Sequence, residues 1–175
     1  GIASYARVLG ARVFVCDLDP VRRLEAVHGG FDVIDLEGGL PKADVVVTAT
    51  GREGIIGERH FDLLPEGCIL LNAGHSNREI DVDALLRHPT EEVRPFIDAI
   101  RLQGRTVYLL ARGAMLNLAA GPGDYYDAFD LTSALMLAGI LFLVERGMTF
   151  PPGIHLLPAE VEQKVASLAT RQFRL

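Results

Sequence analysis

The chain has 175 residues, is 49% hydrophobic and 23% charged, and carries 18 glycines, which is one domain's worth of sequence with enough apolar side chains for a core. That balance excludes a disordered segment, and glycines without a period exclude a collagen-like one. A net charge of −6 with a pI near 5.3 argues against a nucleic-acid or anionic-membrane surface.

In chain order, the first pattern is helical: Ile2, Tyr5, Ala6 and Leu9 share a face and stop at Gly10. Residues 12–16 (RVFVC) read as a strand. A second helix opens at Pro20, behind Asp19 as its N-cap, carries Val21, Leu24 and Val27, and stops at Gly29-Gly30. A weaker strand covers 31–36, and stronger ones cover 43–50, 68–72 and 106–110. These runs are apolar on consecutive positions, as strands covered on both faces are. A third helical pattern runs over 80–86. Strand and helix alternating with short connections predict an α/β fold, a Rossmann-like doubly wound parallel sheet over residues 1–120. From Gly121-Pro122-Gly123 the character changes, and 121–175 reads as a helical segment. Residues 131–144 are apolar nearly all round yet shorter than the ~20 that span a bilayer, so a buried helix is expected. A last amphipathic helix is expected over 158–173, with Val161, Val165 and Leu168 on one face. Cys16 and Cys68 each lie inside an apolar run and offer neither a disulfide framework nor metal spacing, which suits the reducing cytoplasm.

The strand ends suggest a nucleotide crevice. Asp17 closes the strand over 12–16, where a dinucleotide-binding unit places an acid on the ribose 2′-hydroxyl. A carboxylate there repels a 2′-phosphate, so NAD is favoured over NADP. The alternative is that Asp17 only opens the turn before Pro20. Thr50-Gly51, Asn72-Ala73-Gly74-His75 and Asn117 follow the next three strong strands, at the carboxyl edge where open α/β sheets bind ligands. Gly51 and Gly74 would admit close backbone approach, while Asn72 and Asn117 offer both donors and acceptors. Each glycine could equally serve an ordinary turn. Of five histidines, only His75 follows a strand in such a turn, and it is the candidate for chemistry. The glycine loop G-x-G-x-x-G that should lead into the first helix does not occur within the sequence, which opens at Gly1 inside that helix.

Asn72-Ala73-Gly74-His75 followed by Glu79-Ile80-Asp81 closely resembles the S-adenosyl-L-homocysteine hydrolase (adenosylhomocysteinase) family. The likeness extends over 10–26 (GARVFVCDLDPVRRLEA), 45–51 (VVVTATG) and 107–123 (VYLLARGAMLNLAAGPG), in the family's order and spacing. It implies bound NAD and the reversible hydrolysis of S-adenosyl-L-homocysteine to adenosine and homocysteine through transient oxidation of the ribose 3′-hydroxyl. It also implies a nucleoside substrate and a homotetramer. By resemblance, Asp17 binds the adenosine ribose of NAD and Arg22 is a second cofactor contact. Ala73, Gly74 and His75 lie on the nicotinamide side, His75 also near the substrate ribose, and Asn117 engages the carboxamide. The family's glycine loop and substrate domain are expected ahead of Gly1, so the sequence reads as the C-terminal part of an enzyme and as inactive by itself. It departs from the family at Ser76, where an aromatic hinge residue stands, at Arg52 in place of asparagine, and at Asp124 in place of a histidine near the cofactor. These departures leave open a divergent relative, a non-catalytic NAD-binding paralogue or another NAD-dependent dehydrogenase.

Overall fold

The computed structural model describes residues 1–123, 126–146 and 150–172, with only the backbone of 126–128. It divides into two compact units, Gly1–Gly121 and Pro122–Leu175.

In the first unit, helix α1 (Ile2–Val8) leads to strand β1 (Phe14–Val15), helix α2 (Pro20–His28), strand β2 (Asp32–Val33) and the short helix α3 (Leu36–Gly39), and the two strands pair in parallel. Sequence signals set these boundaries. Asp19 accepts a hydrogen bond from the Val21 amide at 2.8 Å, capping α2 one residue ahead of Pro20. The helix ends where Gly30 takes φ of 74°, with the Phe31 amide returning to the Ala26 carbonyl at 3.0 Å. Arg7 donates to the Gly29 carbonyl at 2.7 Å and stacks over Phe31, tying α1 to the end of α2.

A second, five-stranded sheet has the order β3-β4-β7-β6-β5, from β3 (Val45–Thr48), β4 (Ile69–Asn72), β5 (Thr90–Arg94), β6 (Ile97–Leu102) and β7 (Arg105–Leu110). Strands β3, β4 and β7 are parallel, as the sequence predicts for a doubly wound fold. The β5–β6 hairpin is a departure: it adds two antiparallel strands to the edge of that parallel set. Its turns carry the chemistry that antiparallel connections need. Gln103 and Gly104 both take positive φ between β6 and β7. Pro95 with Phe96 at φ of 65° turns β5 into β6.

Strand register puts Val46, Thr48, Leu70, Asn72, Val107, Leu109, Ile100 and Leu102 on one face of the sheet. Leu70, Ile100, Val107 and Leu109 are fully buried there, against Phe61 of helix α4 (Glu58–Phe61), Leu64 and Leu85 of helix α5 (Val82–Leu85). Each such side chain contributes roughly 1.5–3 kcal/mol of burial. The opposite face is more open: Val45 is 49% and Val47 39% exposed. The expectation that helices cover both faces therefore holds for one face among the described residues. The helix expected over 80–86 shortens to α5, because Ile80 bridges Ile56 in parallel and the Asp81 carboxylate caps the helix at the Ala84 amide. Cys16 is exposed and Cys68 buried, and both are free.

The second unit pairs helix α7 (Tyr126–Arg146) with helix α8 (Ala159–Gln172). Val165 of α8 is buried. The expectation of a buried helix over 131–144 is not met in this chain: Met136 is 65% and Leu143 62% exposed. One partner helix cannot cover a helix that is apolar on every side. No helix among the described residues is long and apolar enough to cross a membrane.

Candidate functional site

Asp17 follows β1, half-buried, and one of its carboxylate oxygens accepts from the Asp19 amide at 2.9 Å. That bond belongs to the turn reading, yet a carboxylate has a second oxygen for a ribose hydroxyl. Arg22 is exposed on α2 and paired with Glu25 at 2.8 Å, one helical turn on. Both residues lie on the connection between β1 and β2.

Thr50, Gly51, Asn72, Ala73, Gly74 and His75 converge at the carboxyl ends of β3 and β4, which lie side by side. Two buried polar side chains hold this cluster. Asn72 is fully buried, and its carbonyl oxygen accepts from the Thr48 hydroxyl at 3.1 Å and the Gly74 amide at 2.8 Å. Its amide nitrogen lies within 2.8–3.1 Å of the carbonyls of Gly74, Ser76 and Gly113, sharing two hydrogens among three acceptors. The Asn72 side chain is thus consumed by the scaffold, joining the β4 turn to the turn after β7.

Glu79 is the residue that sequence reasoning quoted within a motif but did not place in the site. It is fully buried. One carboxylate oxygen accepts from the Thr50 amide and the Thr50 hydroxyl, each at 2.8 Å, and the other from the Gly51 amide at 2.7 Å. A Cβ on Gly74 would run into this carboxylate, so glycine at that position is required by the protein's own acid. The available signal was slight: an acid just ahead of the amphipathic stretch over 80–86, of a residue type seldom buried without partners. Gly51 differs: it needs glycine for its φ of 70°, and the space around it is open.

The Ala73 backbone joins the cluster by donating to the Thr48 carbonyl at 2.8 Å. His75 is exposed, and its imidazole has no hydrogen-bond partner among the described residues. After β7, Ala111 and Arg112 take φ of 48° and 47°, a strained conformation for residues with side chains. The strain is held by the Ala111 amide donating to the Phe96 carbonyl at 2.8 Å and by Arg112 paired at 3.1 Å with Asp98, itself 2% exposed. This turn delivers helix α6 (Leu116–Ala119), on which Asn117 is exposed. Asp124 lies outside the described residues. No group of three His, Cys, Asp or Glu that could hold a metal occurs among the described residues.

Parallel strands β3, β4 and β7, joined through helices and turns, define a Rossmann-like α/β domain. Comparison with known proteins is specific. Residues 1–123 match the family model of the S-adenosyl-L-homocysteine hydrolase NAD-binding domain, and the chain belongs to that family. The cofactor is accordingly NAD. The chain is 39% identical to the adenosylhomocysteinase of Thermotoga maritima, over 96% of its own length and 42% of the relative's. It is 36% identical to the S-inosyl-L-homocysteine hydrolase of Methanopyrus kandleri, over 96% and 41% respectively. The chain thus spans about two fifths of the length of the curated relatives it matches. Among solved structures, an L-alanine dehydrogenase superposes with a TM-score of 0.46 at 18% identity, covering 95% of this chain and 49% of that one.

Proposed function

We propose that this chain is the NAD-holding portion of an adenosylhomocysteinase-like enzyme that hydrolyses S-adenosyl-L-homocysteine to adenosine and homocysteine. The observation carrying the reading is the family match over residues 1–123 together with an exposed, unpartnered His75 at the end of β4. The polar groups fit a dinucleotide: a carboxylate acceptor with a spare oxygen at Asp17, open space beside Gly51, and Asn117 at an exposed position of α6. NAD bound there supplies a transient hydride acceptor for the ribose 3′-carbon. The chain's own residues bind and orient the cofactor. Asp17 accepts from the adenosine ribose hydroxyls, with Arg22 beside it, and Asp124 flanks the cofactor. Thr50 and Gly51 shape the crevice floor, Asn72 fixes Ala73 and Gly74, and Asn117 orients the carboxamide. His75 faces the substrate ribose, where its exposed imidazole is placed to serve as a general acid–base group.

The name of the Methanopyrus kandleri relative, at 36% identity, supports a second reading in which the nucleoside is inosine. The working enzyme is read as a cytoplasmic homo-oligomer, and the exposed apolar residues of α7 support an interface. Assaying the whole protein with both thioethers separates the readings. His75→Ala is expected to lower kcat by about 100-fold or more, with NAD still bound. A purified whole protein that holds NAD but cleaves neither thioether would instead favour a non-catalytic paralogue.

A further inference from the structure

We infer that Glu79 is the positioning residue of the cofactor crevice, and that its buried charge biases bound nicotinamide towards the oxidised form; this rests on the NAD reading above. The carboxylate accepts three hydrogen bonds and donates none, the partner set that suits a carboxylate anion. It is fully buried, and no Lys, Arg or His is paired with it among the described residues. Its three bonds all go to the Thr50-Gly51 turn, and Gly74 packs directly on it. One side chain therefore fixes the backbone at the ends of both β3 and β4.

The electrostatic consequence follows from the cofactor's chemistry. The nicotinamide ring carries a positive charge when oxidised and none when reduced. A negative charge held in a dry floor, away from counter-ions and poorly screened, stabilises the charged ring over the neutral one. Hydrogen bonds alone hold both forms equally, because the geometry they impose does not depend on the ring's charge. The two contributions of Glu79 are thus separable: its bonds set affinity for either form, and its charge sets the ratio between them.

The test is a pair of dissociation constants, for NAD+ and for NADH, measured on the whole protein. Glu79→Gln is expected to raise the ratio Kd(NAD+)/Kd(NADH) by roughly five-fold over the unsubstituted protein, the effect of one charge at intermediate screening. Glu79→Asp keeps the charge and is expected to weaken both forms while holding the ratio within about two-fold. Thr50→Val removes a donor, keeps the charge and tests the strut even where the Glu79 variants do not fold. It should raise both constants by about three-fold or more, the loss of one hydrogen bond to a charged group. An unchanged ratio in Glu79→Gln overturns the charge effect, and unchanged constants in Thr50→Val overturn the strut. Failure of the unsubstituted protein to bind either form would overturn the NAD reading itself, and this inference with it.

Discussion

At the residue scale, buried polar groups and exposed ones have opposite duties in this chain. Asn72 and Glu79 spend every described hydrogen bond on the scaffold, whereas Asp17 and His75 keep capacity to spare. Replacing Asp17 with Ala is expected to weaken NAD binding by about ten-fold, or ~1.4 kcal/mol, in a titration. Unchanged affinity would leave Asp17 with its turn alone. His60 gives a pH dependence of stability. It is 1% exposed, its Nδ1 accepts from the Gly57 amide at 3.0 Å, and the Arg59 guanidinium lies beside the ring. Burial first, then Arg59, holds its pKa below the ordinary 6.5, against a smaller opposing pull from Glu37. A folded-state pKa below the unfolded one means the unfolded chain binds more protons as pH falls through about 6.5. Stability from this group is therefore fully present above that pH and lost below it. Thermal melts at pH 8 and 5.5 should show a fall in Tm that is smaller in His60→Gln. At this scale the sequence was informative about exposed candidates and less so about Glu79. Periodicity marks an acid as solvated, and only the fold reveals that three donors surround it.

Among the elements, β4 is flanked on both sides and β5 lies at the sheet edge, so the same truncation should cost very different amounts. Leu70→Ala, at a fully buried position of β4, is expected to destabilise by about 2–5 kcal/mol. Val93→Ala, 45% exposed on β5, should cost less than about 1 kcal/mol. Denaturant titration of both variants checks this, and comparable losses would mean the core lies elsewhere. Strands β3, β4 and β7 were legible because their apolar runs are compact and bounded by turn residues. The β5–β6 hairpin was not, for a physical reason. All five residues of β5 are exposed, so its Glu91-Glu92 pair reads as a solvated loop. In β6 the inward position at Asp98 carries an acid paired with Arg112, breaking the apolar alternation that marks a strand. Helix α7 shows the reverse failure. Its apolar composition was plain, but composition does not say which chain covers a helix.

For the molecule as a whole, the family and its cofactor rest on 123 matched residues, while the reaction rests on relatives more than twice this chain's length. The proposed site would draw its cofactor side from this chain. Cofactor binding has direct support in this chain, because the match to the NAD-binding domain model covers residues 1–123. The most direct measurement is of nucleotide content. Purified whole protein is denatured, the released nucleotide is identified and quantified, and NAD is then titrated into the stripped, refolded protein. About one NAD per chain, rebinding saturably and more weakly in Asp17→Ala, is the predicted result for a resident cofactor held by this crevice. Release of no NAD, together with no saturable binding by the refolded protein, would contradict the account.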